Sequence, residues 1–385
     1  MRITFDATAI PPNRAGAGVY IFSLVKALAG IDAVNKYVIF AKAEHVQEFD
    51  ITQPNFEFVP VPAASTLRRL LWEQVTLPSE IRRRGTDTLH SPHYTMPLAV
   101  PCRTVVTFHD MTYLMMPELH PRFHRRFFPA MMRRSARRAD RLIAVSESTR
   151  RDMIRLLGLS PDKIAATPLA AGPAFYVPPA AEVGGACSRY GLTPGSYLLY
   201  VGVLEPRKNV PHLLEAYARI AARFPEVPLV IAGKKGWMHD AIFQRVTTLG
   251  LEKQVRFPGY VPEEDLPRLY RGARAFVYPS RYEGFGLPVL EAMQCGVPVI
   301  TSNVSSMPEV TGEAALLAAP DDVGGLSEAM ARLLTDDGLA RDLIARGLAQ
   351  AAGFTWKRCA RETLAVYEAC LDAPKPGRRH GKSLA

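Results

Sequence analysis

Short apolar segments with strand character alternate with amphipathic helical segments along nearly the whole chain, and this alternation constrains the fold most strongly. In the first half the apolar segments are RITF (2–5), YVIF (37–40), FEFV (56–59), TVVTF (104–108) and LIAVS (142–146). Such alternation predicts parallel sheets with helices on both faces. Ligands of such sheets bind at the carboxyl ends of strands, so the loops directly after strands are the expected binding sites.

A segment rich in Pro, Ala and Gly at residues 171–195 interrupts the alternation, which starts again at YLLYVGV (197–203). The segment shows neither a helical nor a strand period, which is typical of a linker. A chain of 385 residues is long enough for two ordinary domains. The sequence therefore predicts two doubly wound α/β domains that face each other across a cleft, at 1–170 and 196–353.

The composition excludes several classes of protein. With 48% hydrophobic and 22% charged residues the chain is globular. No apolar run is long enough to span a bilayer, and MRITFDATAI lacks the pattern of a signal peptide. The five cysteines are scattered without a CxxC pair, which argues against disulfides and structural zinc and favours a reducing cytosol. The polar, basic tail at 372–385 is expected to be disordered.

The charge predicts an anionic partner. Lys and Arg number 47 against 37 Asp and Glu, which gives a formal net charge of +10. Nucleotide phosphates, an anionic membrane surface and nucleic acid all fit this charge. Residues 122–141 concentrate eight arginines with Phe and Met between them. That pattern suits docking on anionic lipid, and equally a helix with a charged outer face. The chain has no nucleic-acid-binding motif, so nucleic acid is not expected as a partner.

The stretch RYEGFGLPVLEAMQCGVPVITS (281–302) carries two acids, Glu283 and Glu291, around a glycine-rich elbow, and it follows the strand AFVYP (275–279). Pro288 fits the start of a helix, and the glycines allow backbone to approach a ligand. We expect this helix N-terminus to bind phosphate through its N–H groups, with a carboxylate on each side for hydroxyl groups. In the alternative, Glu291 only complements the helix dipole and Glu283 faces solvent.

Two other loops of the second half follow strands. GVLEPRKN (202–209) presents Arg207 and Lys208 just before a helix that Asn209 is placed to cap. Two cations beside a helix N-terminus favour an anionic ligand, although a solvated basic turn has the same pattern. AGKKGW (232–237) either lines the cleft or merely turns the chain.

In the first half, His109 directly follows the strand TVVTF. A histidine at that position is expected to face the cleft and to form hydrogen bonds near neutral pH. HSPHYTMPL (90–98) adds His90, His93 and Tyr94, which either shape an acceptor pocket or pack locally. The three histidines come from separate loops without ligand spacing, so no metal site is expected.

In their order along the chain these motifs resemble the family 4 glycosyltransferases, also called glycosyltransferase group 1. The resemblance rests on EGFGLPVLE, EPRKN, RFPGYVPEEDL and VPVITSNVSSMPEV, and upstream on HSPHYTMPL, VVTFHDMTYL and ADRLIAVSESTRRD, which are similar to the bacterial cell-surface polysaccharide branch. It covers about residues 1–371. It implies the GT-B architecture of two Rossmann-like domains, with a C-terminal helix at 354–371 that crosses back onto the first domain.

The resemblance also implies a role for individual residues. Glu283 would contact hydroxyl groups of the donor sugar, Glu291 the nucleotide ribose, and His109 the transferred sugar. With His109 and Glu283, Arg207 and Lys208 are the implied catalytic residues. The other implied donor-binding residues are Gly16, Gly18, Gly202, Gly233, Tyr260, Val261, Phe285, Gly286 and Leu287. The chain departs from the family at Val203, where many members have Arg, and at Gly16-Ala17-Gly18, where a double glycine is usual.

The implied reaction is transfer of a hexose with retention of anomeric configuration. GDP-mannose is the expected donor, with UDP- and dTDP-sugars as alternatives, and the acceptor is a glycan or a polyprenyl-diphosphate-linked glycan of O-antigen or exopolysaccharide synthesis. Cationic side chains would stabilise the leaving diphosphate, so neither a metal nor another cofactor is expected. The expected location is the cytoplasm, at the inner face of the membrane if the basic helix at 122–141 docks on lipid and in solution if it is an ordinary charged helix.

Three other functions are compatible with a chain of this general fold class. A nicotinamide-dependent oxidoreductase needs GxGxxG directly after the first strand, and Ile21 occupies the position of the last glycine. A nucleotide-sugar epimerase or phosphorylase of the same fold, and a non-catalytic nucleotide-sugar-binding protein, remain alternatives.

Overall fold

The computed structural model describes residues 1–11, 16–62, 65–120 and 122–372. The first sheet contains β1 Arg2–Asp6, β2 Lys36–Lys42, β3 Phe56–Val61, β4 Thr88–Ser91, β5 Arg103–Phe108, β6 Arg141–Ala144 and β7 Ile164–Ala166. The second contains β8 Leu198–Val201, β9 Leu229–Ala232, β10 Val255–Gly259, β11 Ala275–Tyr278, β12 Val299–Ser302 and β13 Ala315–Ala318. From residue 373 onwards, the predicted disordered tail lies outside the described residues.

Sixteen α-helices connect the strands of the described chain. They are α1 Ala17–Ala29, α2 Ala43–Val46, α3 Thr66–Leu71, α4 Leu77–Arg84, α5 Thr112–Met115, α6 Arg122–Arg138, α7 Glu147–Leu157, α8 Ala180–Arg189, α9 Val210–Ala221, α10 Asp240–Thr248, α11 Leu266–Gly272, α12 Leu287–Gln294, α13 Met307–Thr311, α14 Val323–Thr335, α15 Asp337–Ala351 and α16 Trp356–Asp372. A π-helical segment, Trp72–Thr76, joins α3 to α4 without a break. Among the described residues, no helix is both long enough and apolar enough to cross a membrane.

All neighbouring strands in both sheets pair in parallel. The strand order is β3-β2-β1-β4-β5-β6-β7 in the first sheet and β10-β9-β8-β11-β12-β13 in the second. In each sheet the order reverses beside the first strand of the domain, β1 or β8, which creates a crevice at the carboxyl ends of the strands. The predicted pair of doubly wound α/β domains is therefore confirmed.

The C-terminal helix α16 returns to the first domain, as the resemblance implied. It packs against α1 and β5. Its buried Tyr367 hydroxyl lies 2.6 Å from His90 Nδ1, and Trp356 Nε1 donates to the Ala171 carbonyl at 3.0 Å. On the opposite face of this sheet lie α4, whose Leu77 and Ile81 are buried, and α6.

Residues 171–195 are not the helix-free linker that the composition predicted, because α8 lies within them. α8 packs against α11 of the second domain and buries Val183, Ala186 and Cys187. This spacing of apolar residues is helical, but Gly184 and Gly185 between them weaken the signal, and tertiary packing supplies the stability that helix propensity does not. The domain boundaries drawn from the sequence stay predictions.

Candidate active site

The loops after β8, β9 and β10 lie in contact at one edge of the second sheet. Gly202 N donates to Ala232 O at 3.0 Å, and Gly233 N donates to Gly259 O at 2.7 Å. Gly233 has φ of 145°, and a Cβ there would lie 1.9 Å from the carbonyl oxygen of Gly202. A residue with a side chain could neither adopt this φ value nor lie so close to the Gly202 carbonyl, so position 233 requires glycine.

The loop after β10 contains Tyr260 and Val261, two of the implied donor-binding residues, but exposes only one of their side chains. Tyr260 is 61% exposed and Lys234 Nζ lies 4.2 Å from the centroid of its ring, whereas Val261 is buried in the core. The side chain of Tyr260 is therefore available to a planar ligand, and Val261 is available only through its backbone.

Glu283 lies at the centre of a buried charge cluster formed by two loops of the second domain. Its Oε1 lies 2.6 Å from Lys208 Nζ, and its Oε2 lies 2.8 Å from an Arg207 nitrogen. The hydroxyl groups of Tyr278 and Ser280 also donate to Oε1, at 3.0 and 2.8 Å. The alternative that Glu283 faces solvent is wrong, since only 7% of the residue is exposed.

The charges of the cluster fix its protonation states. Burial raises the pKa of Glu283, but the charges of Arg207 and Lys208 outweigh it and bring that pKa down to about 2. Burial and the neighbouring Arg207 lower the pKa of Lys208, and Glu283 offsets part of this effect. Glu283 is therefore an anion throughout the physiological pH range, and it holds both cations in place.

Asn209 does not cap the helix that follows, contrary to the prediction. Its backbone is left-handed, with φ of 62° and ψ of 28°, and its side chain makes no capping hydrogen bond. Asn209 Nδ2 instead donates to the carbonyl oxygens of Pro279 and Pro320, at 3.1 and 2.7 Å. Asn tolerates this conformation better than most residues, and here it ties the Arg207–Lys208 turn to the end of β11.

The glycine-rich elbow ends at Gly286, directly before α12. Gly286 has φ of 103°, and a Cβ would lie 2.2 Å from Cε of Met307. Phe285 is buried against Phe354, with ring centroids 5.7 Å apart, and Leu287 is partly buried. Residues 285–287 therefore offer a ligand their backbone N–H groups rather than their side chains.

Glu291 lies in the second turn of α12 and not in the first, because the helix starts at Leu287. Its Oε2 accepts a hydrogen bond from the Tyr270 hydroxyl at 3.2 Å. Burial raises the pKa of Glu291 to about 7, the Tyr270 hydroxyl group opposes this, and Glu263 adds to it. Glu291 and Glu283 therefore differ sharply in proton affinity, although both belong to the same sequence motif.

His109 and the loop that contains Glu283 and Gly284 lie against each other across the cleft. His109 directly follows β5, and a Cβ on Gly284 would lie 1.5 Å from its carbonyl oxygen. His109 Nε2 lies 2.7 Å from the Pro92 carbonyl oxygen, which can only accept, so Nε2 carries the hydrogen. Burial lowers the pKa of His109, and this effect outweighs the hydrogen bond to Pro92 and the charge of Asp110, which both raise it. The ring is neutral near pH 7, with Nδ1 free of a proton.

The glycines of the first loop lie at the start of α1. Gly16 has φ of 52°, and Gly18 is buried without room for a side chain, because a Cβ there would lie 2.9 Å from Pro11 Cδ. Tyr20, in the first turn of the same helix, contacts the His109 ring at a centroid distance of 5.0 Å. The start of α1 therefore lies close to His109, while residues 12–15 lie outside the described part of the chain.

The histidines of the 90–98 segment differ in environment. His90 is fully buried, with its Nε2 2.8 Å from the Thr107 hydroxyl, so of the two alternatives it packs locally. His93 lies beside His109, with ring centroids 5.8 Å apart. Among the described residues, no group of three or more His, Cys, Asp or Glu side chains is arranged to hold a metal ion.

Three residues of the cluster were not predicted from the sequence: Tyr278, Ser280 and Glu205. Glu205 lies 2.8 Å from Arg207 Nε and is buried. All three lie at or just after the carboxyl ends of β8 and β11, which is the signal that could have identified them.

Two family models match the chain. The model described as Glycosyltransferase Family 4 matches residues 14–170, and the model described as Glycosyl transferases group 1 matches residues 193–350. The chain is 38% identical over 384 residues to O-antigen chain mannosyltransferase B of Escherichia coli, covering 96% of this chain and 100% of that protein. It is 34% identical to the Escherichia coli serotype-specific mannosyltransferase WbdA, over 74% of this chain and 36% of that longer protein.

Solved structures with the same fold are more distant in sequence. Sucrose-phosphate synthase of Thermosynechococcus elongatus aligns with a TM-score of 0.75 at 23% identity, over 96% of this chain and 98% of that chain. HepE of Anabaena, in complex with UDP and glucose, aligns with a TM-score of 0.76 at 18% identity, over 96% and 100%. Together with the family matches, these comparisons show that the chain belongs to glycosyltransferase family 4 and is a hexosyltransferase of the GT-B type.

Proposed function

We propose that this protein transfers mannose from GDP-mannose, with retention of configuration, to a glycan or polyprenyl-diphosphate-linked acceptor in cell-surface polysaccharide synthesis. One observation carries the proposal: buried Glu283 holds Arg207 and Lys208, and it lies four residues before Leu287, where α12 starts. The choice of mannose rests on the similarity to O-antigen chain mannosyltransferase B along the whole chain.

Arg207 and Lys208 stabilise the charge that develops on the leaving diphosphate. Both are at least four-fifths buried, so their field acts in a medium of low dielectric constant. Before the donor binds, Glu283 compensates these charges. Once the diphosphate is bound, it shares the cations with Glu283, whose oxygens then accept hydrogen bonds from sugar hydroxyl groups. This arrangement supplies positive charge without a metal ion.

The cluster favours direct substitution on one face of the sugar over a covalent intermediate. Both Glu283 oxygens are occupied by cations or hydroxyl groups, which makes the carboxylate a poor nucleophile. Its pKa of about 2 also makes it a weak base. The leaving diphosphate therefore takes the proton of the acceptor hydroxyl group, and neutral His109 contacts the transferred sugar.

A thermal-shift screen tests the donor site. GDP is expected to raise the melting temperature more than UDP or dTDP, and the shift should shrink in Lys208→Ala and Glu291→Ala variants. A larger shift with UDP would contradict the choice of donor, and unchanged shifts in both variants would contradict the site. A product assay separates the alternatives, since an epimerase or phosphorylase converts the nucleotide sugar without transfer to a glycan and a binding protein does not convert it.

The acceptor side of the first domain carries a surface that suits an anionic membrane. Seven arginines of α6 are exposed and have no described acidic partner: Arg122, Arg125, Arg126, Arg133, Arg134, Arg137 and Arg138. Leu67 and Leu71 of α3 and Val75 of the π-helical segment are 66%, 57% and 69% exposed at helical spacing. The π-helical segment and α4, which continue α3, pack on the same face of the sheet as α6. Apolar side chains and clustered arginines on one face of the domain suit peripheral docking at the inner face of the membrane, where a lipid-linked acceptor lies.

Vesicle sedimentation tests this docking. The protein should pellet with phosphatidylglycerol vesicles and not with phosphatidylcholine vesicles, and less in a variant with Arg133, Arg134, Arg137 and Arg138 changed to Ala. The matched control removes the same number of charges, with Arg223, Lys253, Arg341 and Arg346, four exposed cations of the second domain, changed to Ala. Equal pelleting of all three proteins would contradict the proposal.

A further inference from the structure

The N-terminus of α7, in the first domain, holds the loop that contains Glu283, in the second domain. Ser146 caps α7 by accepting from Thr149 N at 2.9 Å. The Ser146 hydroxyl group donates to the carbonyl oxygen of Gly284 at 2.6 Å, and the Thr149 hydroxyl group donates to the same oxygen at 3.0 Å. The carbonyl group of Gly284, the residue directly after Glu283, is therefore held by two side chains of the other domain.

Glu309, in α13 of the second domain, makes a second contact with the N-terminus of α7. Its Oε1 accepts from Glu147 N at 2.9 Å, and its Oε2 accepts from Ser148 N at 3.1 Å. These N–H groups belong to the first turn of α7 and have no partner within the helix. The helix dipole favours a carboxylate at this end. A side chain of the second domain thus caps the N-terminus of a helix of the first domain.

Ser305 and Ser306, directly before α13, also hold the Glu283 loop, and they belong to the same domain as this loop. Glu283 N donates to Ser305 Oγ at 3.0 Å, and the Ser306 hydroxyl group donates to the carbonyl oxygens of Glu283 and Phe285 at 3.0 and 2.8 Å. On the other side of Glu283, the Tyr282 hydroxyl group donates to Asp152 Oδ2 of α7 at 2.8 Å.

We propose that Ser146, Thr149 and Glu309 are positioning residues, which couple closure of the two domains to the placement of Glu283. When the domains separate, the Gly284 carbonyl loses both hydroxyl donors, and Glu309 of α13 loses its two hydrogen bonds to α7. The Glu283 loop then keeps only contacts within the second domain, from Ser305, Ser306 and the charge cluster. Sugar transfer would require the closed arrangement, whereas the nucleotide would bind to the second domain in either state. The proposal rests on the proposed sugar-binding role of Glu283.

Glu309→Ala tests the coupling, with Glu309→Gln as the conservative variant and Glu313→Gln, an exposed acid nearby, as the control. In Glu309→Ala, kcat for transfer should fall by at least about tenfold, while the Kd of GDP changes by less than about twofold. Glu309→Gln keeps one acceptor oxygen and should recover part of kcat. Small-angle scattering with GDP bound should show a larger radius of gyration for Glu309→Ala than for the wild type or Glu313→Gln.

Two results would overturn the proposal. One is wild-type kcat in Glu309→Ala; the other is a loss of GDP affinity as large as the loss of kcat, which indicates general damage to the second domain. If the wild type does not use GDP-mannose, the choice of donor is wrong. The scattering comparison, repeated with the nucleotide that gives the largest thermal shift, then still tests the coupling, and equal radii of gyration in all variants would refute it.

Discussion

Lys208 Nζ lies 2.6 Å from Glu283 Oε1 in a site where less than a tenth of either side chain is exposed. An ion pair this deeply buried is expensive to desolvate, and removing one partner leaves the other charge uncompensated. The pair is therefore poorly explained by stability alone. Under the proposed function, the pair would keep a cation dehydrated and in position before the nucleotide sugar binds.

Lys208→Ala should reduce transfer by about 100-fold, because it removes one of the two cations that stabilise the leaving diphosphate. The Kd of GDP should rise as well, since the ground-state diphosphate contacts the same cation. Initial rates and isothermal titration measure the two effects. Lys253→Ala, which removes an exposed lysine of the same domain, should match the wild type in both. Wild-type rates in Lys208→Ala would show that Lys208 does not contact the donor.

Glu283 also makes a pH-dependent contribution to stability. Its pKa is about 2 in the folded chain against 4.5 when unperturbed, so the ionised form favours folding. The contribution is complete above about pH 5 and is lost as the pH falls towards 2, with a magnitude of about 3 kcal/mol. Urea unfolding at pH 7 and at pH 3.5 should show a smaller decrease for Glu283→Gln than for the wild type. Equal decreases would contradict the predicted ionisation.

Glu291 should make nucleotide binding depend on pH near neutrality, in contrast to Glu283, which titrates only in acid. Because burial raises its pKa to about 7, the carboxylate that would accept hydrogen bonds from ribose forms only as the pH rises through 7. The affinity for GDP should increase between pH 6 and 8 in the wild type, beyond the change seen in Glu291→Gln. That variant corrects for the titration of the phosphate itself. Glu264→Gln, an exposed acid near the same site, should behave like the wild type.

The raised pKa of Glu291 also affects the stability of the unliganded protein, which should fall with rising pH while the affinity for GDP increases. Glu291 binds its proton more tightly in the folded chain than when unfolded, so stability falls as the pH rises from about 4.5 to 7. Glu291→Gln should remove this part of the decrease. Identical pH profiles of urea unfolding for the two proteins would show that the pKa of Glu291 is not raised in the free enzyme.

Gly284→Ala should abolish transfer without unfolding either domain. The added Cβ would lie 1.5 Å from the His109 carbonyl oxygen, a backbone atom that cannot rotate away. The domains would have to separate, and the contact of α7 with the Glu283 loop would be lost. The rate of transfer should fall by more than about 100-fold, while the circular dichroism spectrum and the Kd of GDP stay close to the wild type. Transfer at wild-type rates would show that the closed arrangement is not required.

The fold and most of the site could be predicted from the sequence because both depend on local patterns. Alternating strand and helix periods determine the two sheets, and the loops after strands contain Glu283, Arg207, Lys208 and His109. The helical period of α8 was obscured by two glycines inside it. The left-handed conformation of Asn209 could not be predicted either, since it depends on the carbonyl groups of Pro279 and Pro320, which come from distant segments.

Pairings across the chain were beyond the reach of sequence patterns. Nothing in EGFGLPVLE indicates that Glu283 is held by residues 75 and 76 positions earlier, or that its two acids differ so much in pKa. The same limit applies to Glu309, whose partners lie in the other domain. Its distance of 161 residues from Ser148 along the chain leaves no local signal.

The most direct test of the account is the anomeric configuration of the product formed from GDP-mannose, determined by NMR. The sugar of GDP-mannose is α-linked, so retention by front-face substitution in the Glu283 site predicts an α-mannosidic bond. Formation of this product should fall by about 100-fold or more in Glu283→Gln, because the sugar loses its carboxylate partner. A β-linked product, or an α-linked product formed at the same rate by Glu283→Gln, would contradict the account.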